Sequence, residues 1–214
     1  MAKDSFFDTS VIIHYASFSK NIKQELVKRC YEYIVQKKGK YLLCFYVQSE
    51  IKNRVRKRRI IYDEALRKIR EVNYEIGSSK ISEELNERDL SNAKKIYEIY
   101  KKIRLEDVLK IFGEEQSIFE RKIDQFLKFH LDERVIPIEA IKLELINMLH
   151  DLIENYADCK VLASALQAQE ERNNFYFVNA DKHFDSNGYL FIQEDPRFKN
   201  YKFPELKNLL YEEN

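Results

Sequence analysis

The chain has 214 residues, 37 Lys and Arg against 36 Asp and Glu, a net charge of +1, and 44% of residues from the set AVILMFWYC. That composition can bury a sizeable core, which excludes a disordered polymer, and its near-neutrality excludes a bulk polycation gripping nucleic acid over its whole surface. The three cysteines, Cys30, Cys44 and Cys159, form no CxxC pair, which argues against a disulfide framework or zinc ribbon and for a reducing compartment.

Four glycines and three prolines in the whole chain favour long helices over a turn-rich β fold. Lys3 to Phe7 predicts a short strand ending at Asp8-Thr9-Ser10. Ile22, Leu26, Cys30 and Ile34, spaced four apart, predict a helix from Asn21 to Lys37, closed by Gly39. The apolar run Tyr41 to Val47 suits a buried parallel strand, and Ser49-Glu50 opens the next helix.

Residues 60–134 carry almost only helical signal. Tyr97, Tyr100, Ile103, Val108, Leu109 and Phe112 form one stripe; Ile118, Phe119, Ile123, Phe126 and Leu127 form another after Gly113. These predict helices stacked as a hairpin or small bundle. Val135 to Ile138 then reads as an edge strand, because Pro137 cannot donate to a ladder. Helices are predicted from Glu139 to His150 and from Tyr156 to Gln169, followed by a strand over Phe175 to Val178. A last strand over Tyr189 to Ile192 and a terminal helix opened by Pro204 complete the reading. Strands separated by helices at both ends predict an α/β protein: a three-layer α/β/α fold with a central, mostly parallel sheet. Residues 1–59 and 135–214 form this domain, and residues 60–134 a helical insertion. No stretch approaches 18 apolar residues and MAKDSFFDTS lacks a signal-peptide core, so the expectation is a cytoplasmic protein with no membrane partner.

Four acids stand out by position. Asp8 follows the first strand, Glu50 the second, Asp158 opens a helix, and Asp181 lies past the Phe175–Val178 strand. In an open parallel sheet, ligands collect beyond the carboxyl ends of the strands. Carboxylates converging there repel one another, and a hard divalent cation relieves the repulsion. Two such ions about 4 Å apart can activate a water and stabilise the leaving oxygen of a phosphodiester. Each acid also has an ordinary role: Asp8 as a helix cap, Asp158 at capping-box spacing from Asn155, Asp181 in a turn, Glu50 complementing a helix dipole. It is the four together, in matching local contexts, that point to a site.

From Lys52 to Arg59, six of eight residues are basic. On a helix starting near Glu50, Arg54, Lys57 and Arg58 fall on the face of that acid, a pattern suited to a phosphate backbone; a solvated or ion-paired face is the ordinary alternative. Tyr62 and Tyr74 offer stacking faces, although tyrosines at helical spacing more often pack. His14, His130, His150 and His183 have no ligand-like spacing, and no GxxxxGK[ST], GxGxxG or GxSxG motif occurs.

Phe6 to Ile13, with Asp8 at its centre, resembles the opening strand and first acid of PIN-domain nucleases. Ser49-Glu50-Ile51 resembles their second acidic position, Ala157 to Ala165 the Asp that heads an alanine-rich helix, and Phe177 to Phe184 the strand and turn carrying the fourth acid. The resemblance covers residues 3–58 and 135–195. It implies a Mg²⁺- or Mn²⁺-dependent endoribonuclease of PIN-like fold, with Asp8, Asp158 and Asp181 as metal ligands and Glu50 as a peripheral acid orienting water or a second ion. Thr9 and Ser10 would support the site; Asn179 stands where the family carries Thr or Ser; Asp185 would be an auxiliary carboxylate. The implied partners are RNA, an inhibitor or antitoxin protein if the chain is the toxin of a toxin–antitoxin pair, and a second copy through the helical insertion. A non-catalytic PIN-like scaffold binding RNA or protein, and a metal-dependent DNA nuclease, are the competing readings.

Overall fold

The computed structural model describes residues 2–18, 24–36, 39–136, 140–172, 174–182 and 184–211. It divides into two compact units: Met1–Ile51 with Lys122–Asn214, and Lys52–Arg121. Both boundaries fall inside helices, α3 (Phe45–Arg70) and α5 (Leu105–Gln125).

The first unit is built on five strands: β1 (Asp4–Phe7), β2 (Tyr41–Cys44), β3 (Glu133–Val135), β4 (Phe175–Asn179) and β5 (Glu205–Asn208). They lie in the order β3-β2-β1-β4-β5, and every pairing is parallel. Strands covered on both faces need apolar side chains throughout, and Phe6, Phe7, Leu42 and Leu43 are fully buried. Phe6 stacks on Phe175 with ring centroids 5.8 Å apart, and the edge of Phe7 meets Tyr41 at 4.8 Å.

Helices α1 (Thr9–Ser17) and α2 (Glu25–Gln36) connect β1 to β2 and pack on each other, α1 also meeting β4. Helices α6 (Leu143–His150) and α7 (Tyr156–Arg172) precede β4, with α7 against β2 and β4. Ala163, Ser164, Ala165 and Ala168 of α7 are fully buried; side chains this small let the helix lie close on the sheet. Helix α8 (Ser186–Glu194) packs beside β5. The result is the expected three-layer α/β/α architecture, with the sheet wholly parallel.

Gly39 makes the entry to β2. Its φ is +88°, and a Cβ there would sit 2.1 Å from the Lys3 carbonyl oxygen, so only glycine satisfies both the left-handed conformation and the close approach. Beside it, the Lys40 amide donates to Asp4 Oδ1 (2.8 Å) and the Ser5 amide to the Lys40 carbonyl (2.8 Å).

Several local expectations are corrected. Tyr189 to Ile192 belongs to α8, not to a strand: Asp185 caps the helix by accepting from the Gly188 amide (2.7 Å), and burial falls on Tyr189 and Ile192, three apart, while Leu190 and Phe191 are exposed. Pro204 precedes strand β5 rather than a helix, and β5 pairs Tyr176↔Glu205 through Asn179↔Asn208 at the sheet edge, where a leading proline costs no ladder bond. Strand β2 stops at Cys44, so Phe45, Tyr46 and Val47 form the first turn of α3. Strand β3 ends before Ile136, and helix α6 begins at Leu143. The expected edge-strand residues Pro137 and Ile138, the helix start at Glu139, and residues 21–23, 37 and His183 lie outside the described residues.

The second unit, Lys52–Arg121, holds its own core: Tyr62, Ala65, Val108 and Phe112, flanked by Ile96, Tyr97 and Tyr100. Tyr62 stacks on Phe112 at 4.6 Å, and Tyr100 meets the same ring edge-on at 5.0 Å. Helix α4 (Glu87–Tyr100) starts with a capping box between Asn86 and Asp89. Helix α5 runs unbroken through Gly113, correcting the expected break there; the first stripe is divided instead between α4 (Tyr97, Tyr100) and α5 (Val108, Leu109, Phe112), with Ile103 between the two helices. The buried Glu64 carboxylate accepts from Tyr74 Oη (2.8 and 2.9 Å), the Gly77 amide (2.7 Å) and Ser79 Oγ (2.5 Å), fixing the loop before α4. Tyr62 and Tyr74 are therefore packing and hydrogen-bonding residues. Among the described residues no helix is long and apolar enough to cross a membrane.

Candidate active site

The carboxyl ends of β1, β2 and β4 lie on one side of the sheet; Asp8 and Asp181 follow β1 and β4, and Glu50 stands in helix α3, which begins directly after β2. Asp8 directly follows β1. Its amide donates to the Val178 carbonyl of β4 (2.9 Å), which holds the backbone in strand alignment one residue past the sheet. Its carboxylate is the N-cap of α1: Oδ2 accepts from the Ser10 amide (2.8 Å) and from Ser10 Oγ (2.5 Å). Capping and site formation thus use the same side chain.

Thr9 and Ser10 extend the connection. The buried Thr9 hydroxyl donates to Glu50 Oε2 at 2.8 Å, bringing the start of α3 to the end of β1. Ser10 Oγ accepts from the Ala180 amide at 3.0 Å, tying the turn after β1 to the turn after β4, in which Asp181 follows. That second turn is clamped from below. Asn179, fully buried, donates through Nδ2 to the Phe184 carbonyl (3.2 Å); Asn208 of β5 donates to the Asp181 carbonyl (3.0 Å) and the Phe184 carbonyl (2.8 Å). In place of a hydroxyl at position 179, two carboxamides hold the turn.

Asp158 lies in the first turn of α7, whose start is capped by Asn155 Oδ1 accepting from the Ala157 amide (3.0 Å). Asp8 interacts electrostatically with both Asp181 and Asp158. Asp8 is 4% exposed, and its carboxyl is pushed up to about 7, first by burial, then by the charge of Asp181 and, less, that of Asp158; the two Ser10 hydrogen bonds oppose the shift. A buried acid raised by neighbouring acids is a recognised mark of a functional site. His14, one turn beyond Ser10 on α1, also feels Asp181: burial lowers its pKa and the aspartate charge opposes that.

The donor chemistry is hard. Asp8, Asp158, Asp181 and Glu50 offer oxygens only, while burial pushes the Cys44 and Cys159 thiols each up to about 11, so no thiolate competes. Carboxylate oxygen suits Mg²⁺ or Mn²⁺. Among the described residues no three His, Cys, Asp or Glu side chains form a ready-made metal-holding group. Asp185, the expected auxiliary acid, serves as the cap of α8. Beside Asp158, a cleft of about 360 Å³ is bounded by Leu152, Ile153 and Asn155 on one side and Phe191 and Ile192 of α8 on the other.

The expected basic face lies in the second unit, and its charges are used there. Lys57 pairs with Asp89 (3.0 Å), Arg59 with Glu120 (2.6 Å) and Arg56 with Glu84. Arg58 donates to Tyr62 Oη (2.6 Å) and lies over the rings of Tyr62 and Phe119, at 5.0 and 4.7 Å from their centroids. Arg54 is exposed. The run therefore follows the ordinary alternative at Arg56, Lys57, Arg58 and Arg59: Glu84, Asp89 and Glu120 pair with three of them, and Tyr62 and Phe119 stack on Arg58.

Sequence reading found no ligand-like spacing at His14, and passed over Asn208 and a group at the start of α7. Lys160 Nζ stands over the rings of Tyr156 (4.6 Å) and Tyr46 (5.1 Å), and His150 meets Tyr156 edge-on at 5.2 Å. The helical spacings Ser10–His14, Tyr46–Glu50 and Tyr156–Lys160, each four residues, were the available signals. Neither protein-family models, nor curated proteins, nor solved structures provide a match to this chain.

Proposed function

We propose that the first unit is a PIN-like, divalent-metal-dependent endoribonuclease. The observation that carries this is the electrostatic grouping of Asp8 with Asp181 and Asp158 at the carboxyl ends of a parallel sheet, with Asp8 buried and raised to about 7. A binding module gains nothing from burying an acid among like charges, whereas a centre for a hard cation needs that arrangement. The PIN resemblance of the segments around these residues gives the reading its substrate class.

Asp8, Asp158 and Asp181 would hold the ion. Mg²⁺ or Mn²⁺, when bound, supplies positive charge for the phosphodiester oxygens and acidifies a water. The protein's own contribution is positioning. Ser10 fixes the Asp8 carboxylate and spans to the Asp181 turn, Asn179 and Asn208 hold that turn, and Thr9 fixes Glu50 by donating to Oε2, so that this peripheral acid would orient water or a second ion.

The test is cleavage of an end-labelled single-stranded RNA by purified protein with Mn²⁺, with excess chelator, and with Asp158→Asn as the control for contaminating nuclease. Cleavage that requires the ion and falls on the order of 100-fold in Asp158→Asn supports the reading. Equal cleavage by Asp158→Asn overturns the site. A labelled DNA of the same sequence in the same tube decides between the RNA and DNA nuclease readings. No cleavage together with no Mn²⁺ binding by calorimetry leaves the non-catalytic scaffold.

A further inference from the structure

We propose that His14 contacts a substrate phosphate through a ring N–H and so belongs to the candidate site beside Asp181. The inference rests on the nuclease reading for the identity of the substrate, and on the geometry of α1 for the contact.

Helix α1 has two faces. Val11, Ile12, Tyr15 and Ala16 are buried, which leaves Ser10, His14 and Ser17 on the accessible side. Ser10 and His14 are one helical turn apart, so their side chains are neighbours there. Both bonds of Ser10 locate this face: its hydroxyl touches the Asp8 carboxylate and, through the Ala180 amide at 3.0 Å, the turn in which Asp181 follows. His14 therefore stands beside that turn, and the charge of Asp181 acts on its ring.

The other polar side chains of the face are engaged. Ser10 is bonded as above, and the Ser17 hydroxyl donates to the Ile13 carbonyl at 2.8 Å. The half-buried His14 ring, by contrast, makes no hydrogen bond, ion pair or ring contact among the described residues. Polar groups that leave water in a folded domain are generally bonded, so an imidazole left open at the mouth of an acidic crevice has a nitrogen to offer a ligand.

What the ring can bind follows from its charge. Burial favours the uncharged form more than Asp181 favours the charged one, so at pH 7 it is a neutral imidazole with one N–H. A lysine or arginine in its place would pair with Asp181 and compete with a divalent ion for that carboxylate. A neutral N–H leaves the carboxylate to the ion and still bonds an anionic phosphate oxygen. Such a donor is needed, because Asp8, Asp158 and Asp181 repel a phosphodiester, and Lys57 and Arg58 are engaged within the second unit.

The test compares two replacements of opposite character. His14→Gln keeps an N–H donor, whereas His14→Phe keeps a flat ring and loses the donor. The purified protein cuts end-labelled RNA with Mn²⁺, kcat/KM is measured for each variant, and melting curves confirm folding. His14→Phe is expected to fall about tenfold or more, as for one lost hydrogen bond to a charged group, and His14→Gln to recover to within about threefold of wild type. A ring that only packs gives the reverse order. Should His14→Phe not fold, His14→Ala takes its place. His14→Phe equal to wild type, or His14→Gln as impaired as His14→Phe, overturns the proposal. Failure of the nuclease reading looks different: wild type leaves the RNA intact in Mn²⁺. The uncut RNA then serves as the probe in fluorescence anisotropy, where the same order of affinities supports the phosphate contact, and equal affinities or no binding by wild type overturn it.

Discussion

Ser10 Oγ donates to Asp8 at 2.5 Å while accepting from the Ala180 amide at 3.0 Å, so one hydroxyl joins the ends of two adjacent strands. The bond to Asp8 favours the charged carboxylate against burial and against Asp181. Ser10→Ala removes that bond and leaves the amide bond. The Asp8 carboxyl then moves further above 7, and the acid limb of the cleavage profile shifts to higher pH, with cleavage at neutral pH reduced about tenfold or more, as expected for losing a hydrogen bond to a charged group. A pH–rate profile of the variant beside wild type, with melting curves to confirm folding, is the measurement; an unchanged acid limb contradicts the role given to Ser10.

The raised Asp8 carboxyl also fixes a direction for stability against pH. Its ordinary value is 3.8 and its value in the fold is about 7. Between those values the folded protein keeps a proton that the unfolded chain has released, so stability falls as pH rises from about 4 to about 7 and is level, on this account, above and below that window. Asp8→Asn removes the dependence and keeps a helix-capping residue. It is expected to melt higher than wild type at pH 8, by about 2–4 °C for each kcal/mol recovered, with the difference closing toward pH 4. Mn²⁺ at pH 8 should raise the wild-type midpoint and not that of Asp8→Asn. Differential scanning calorimetry at the two pH values, with and without the ion, reads all of this.

Two glycines give opposite expectations under one substitution. Gly113 sits inside α5 with no atom within 4 Å of an added Cβ, so Gly113→Ala should stabilise by about 0.5–1 kcal/mol. At Gly39 the φ of +88° and the 2.1 Å approach to the Lys3 carbonyl make Gly39→Ala destabilising by more than about 1–2 kcal/mol. Urea unfolding of the two variants decides; stabilisation by Gly39→Ala would contradict a left-handed residue packed on the Lys3 carbonyl before β2.

What could be read from residues alone depended on whether the signal was local. The strands around Leu42 and Phe177 were legible because burial on both faces demands unbroken apolar runs, and the order of α/β segments then implied the parallel sheet. Tyr189 to Ile192 was misread because four apolar-rich residues suit either period; only the cap at Asp185 decides for a helix. The Glu205–Asn208 strand gave no apolar signature, since an edge strand exposes its side chains, and with it the Asn208 clamp was invisible. The fate of Lys57 and Arg58 was set by residues such as Asp89 and Phe119, distant in sequence. Lys160 was obscured in the same way, because Tyr46 lies on another helix.

Translation imposes a timetable on the Asn208 clamp. Asp8 and Asn208 are separated by 200 positions, which a ribosome adding 5–20 residues each second covers in about 10–40 s. Throughout that interval the nascent chain holds Asp8, and later Asp158 and Asp181, with at most the Asn179 carboxamide and without that of Asn208, which bonds the Asp181 carbonyl. On the nuclease reading, the unfinished polypeptide is therefore incompletely armed while it is still attached to the messenger that encodes it.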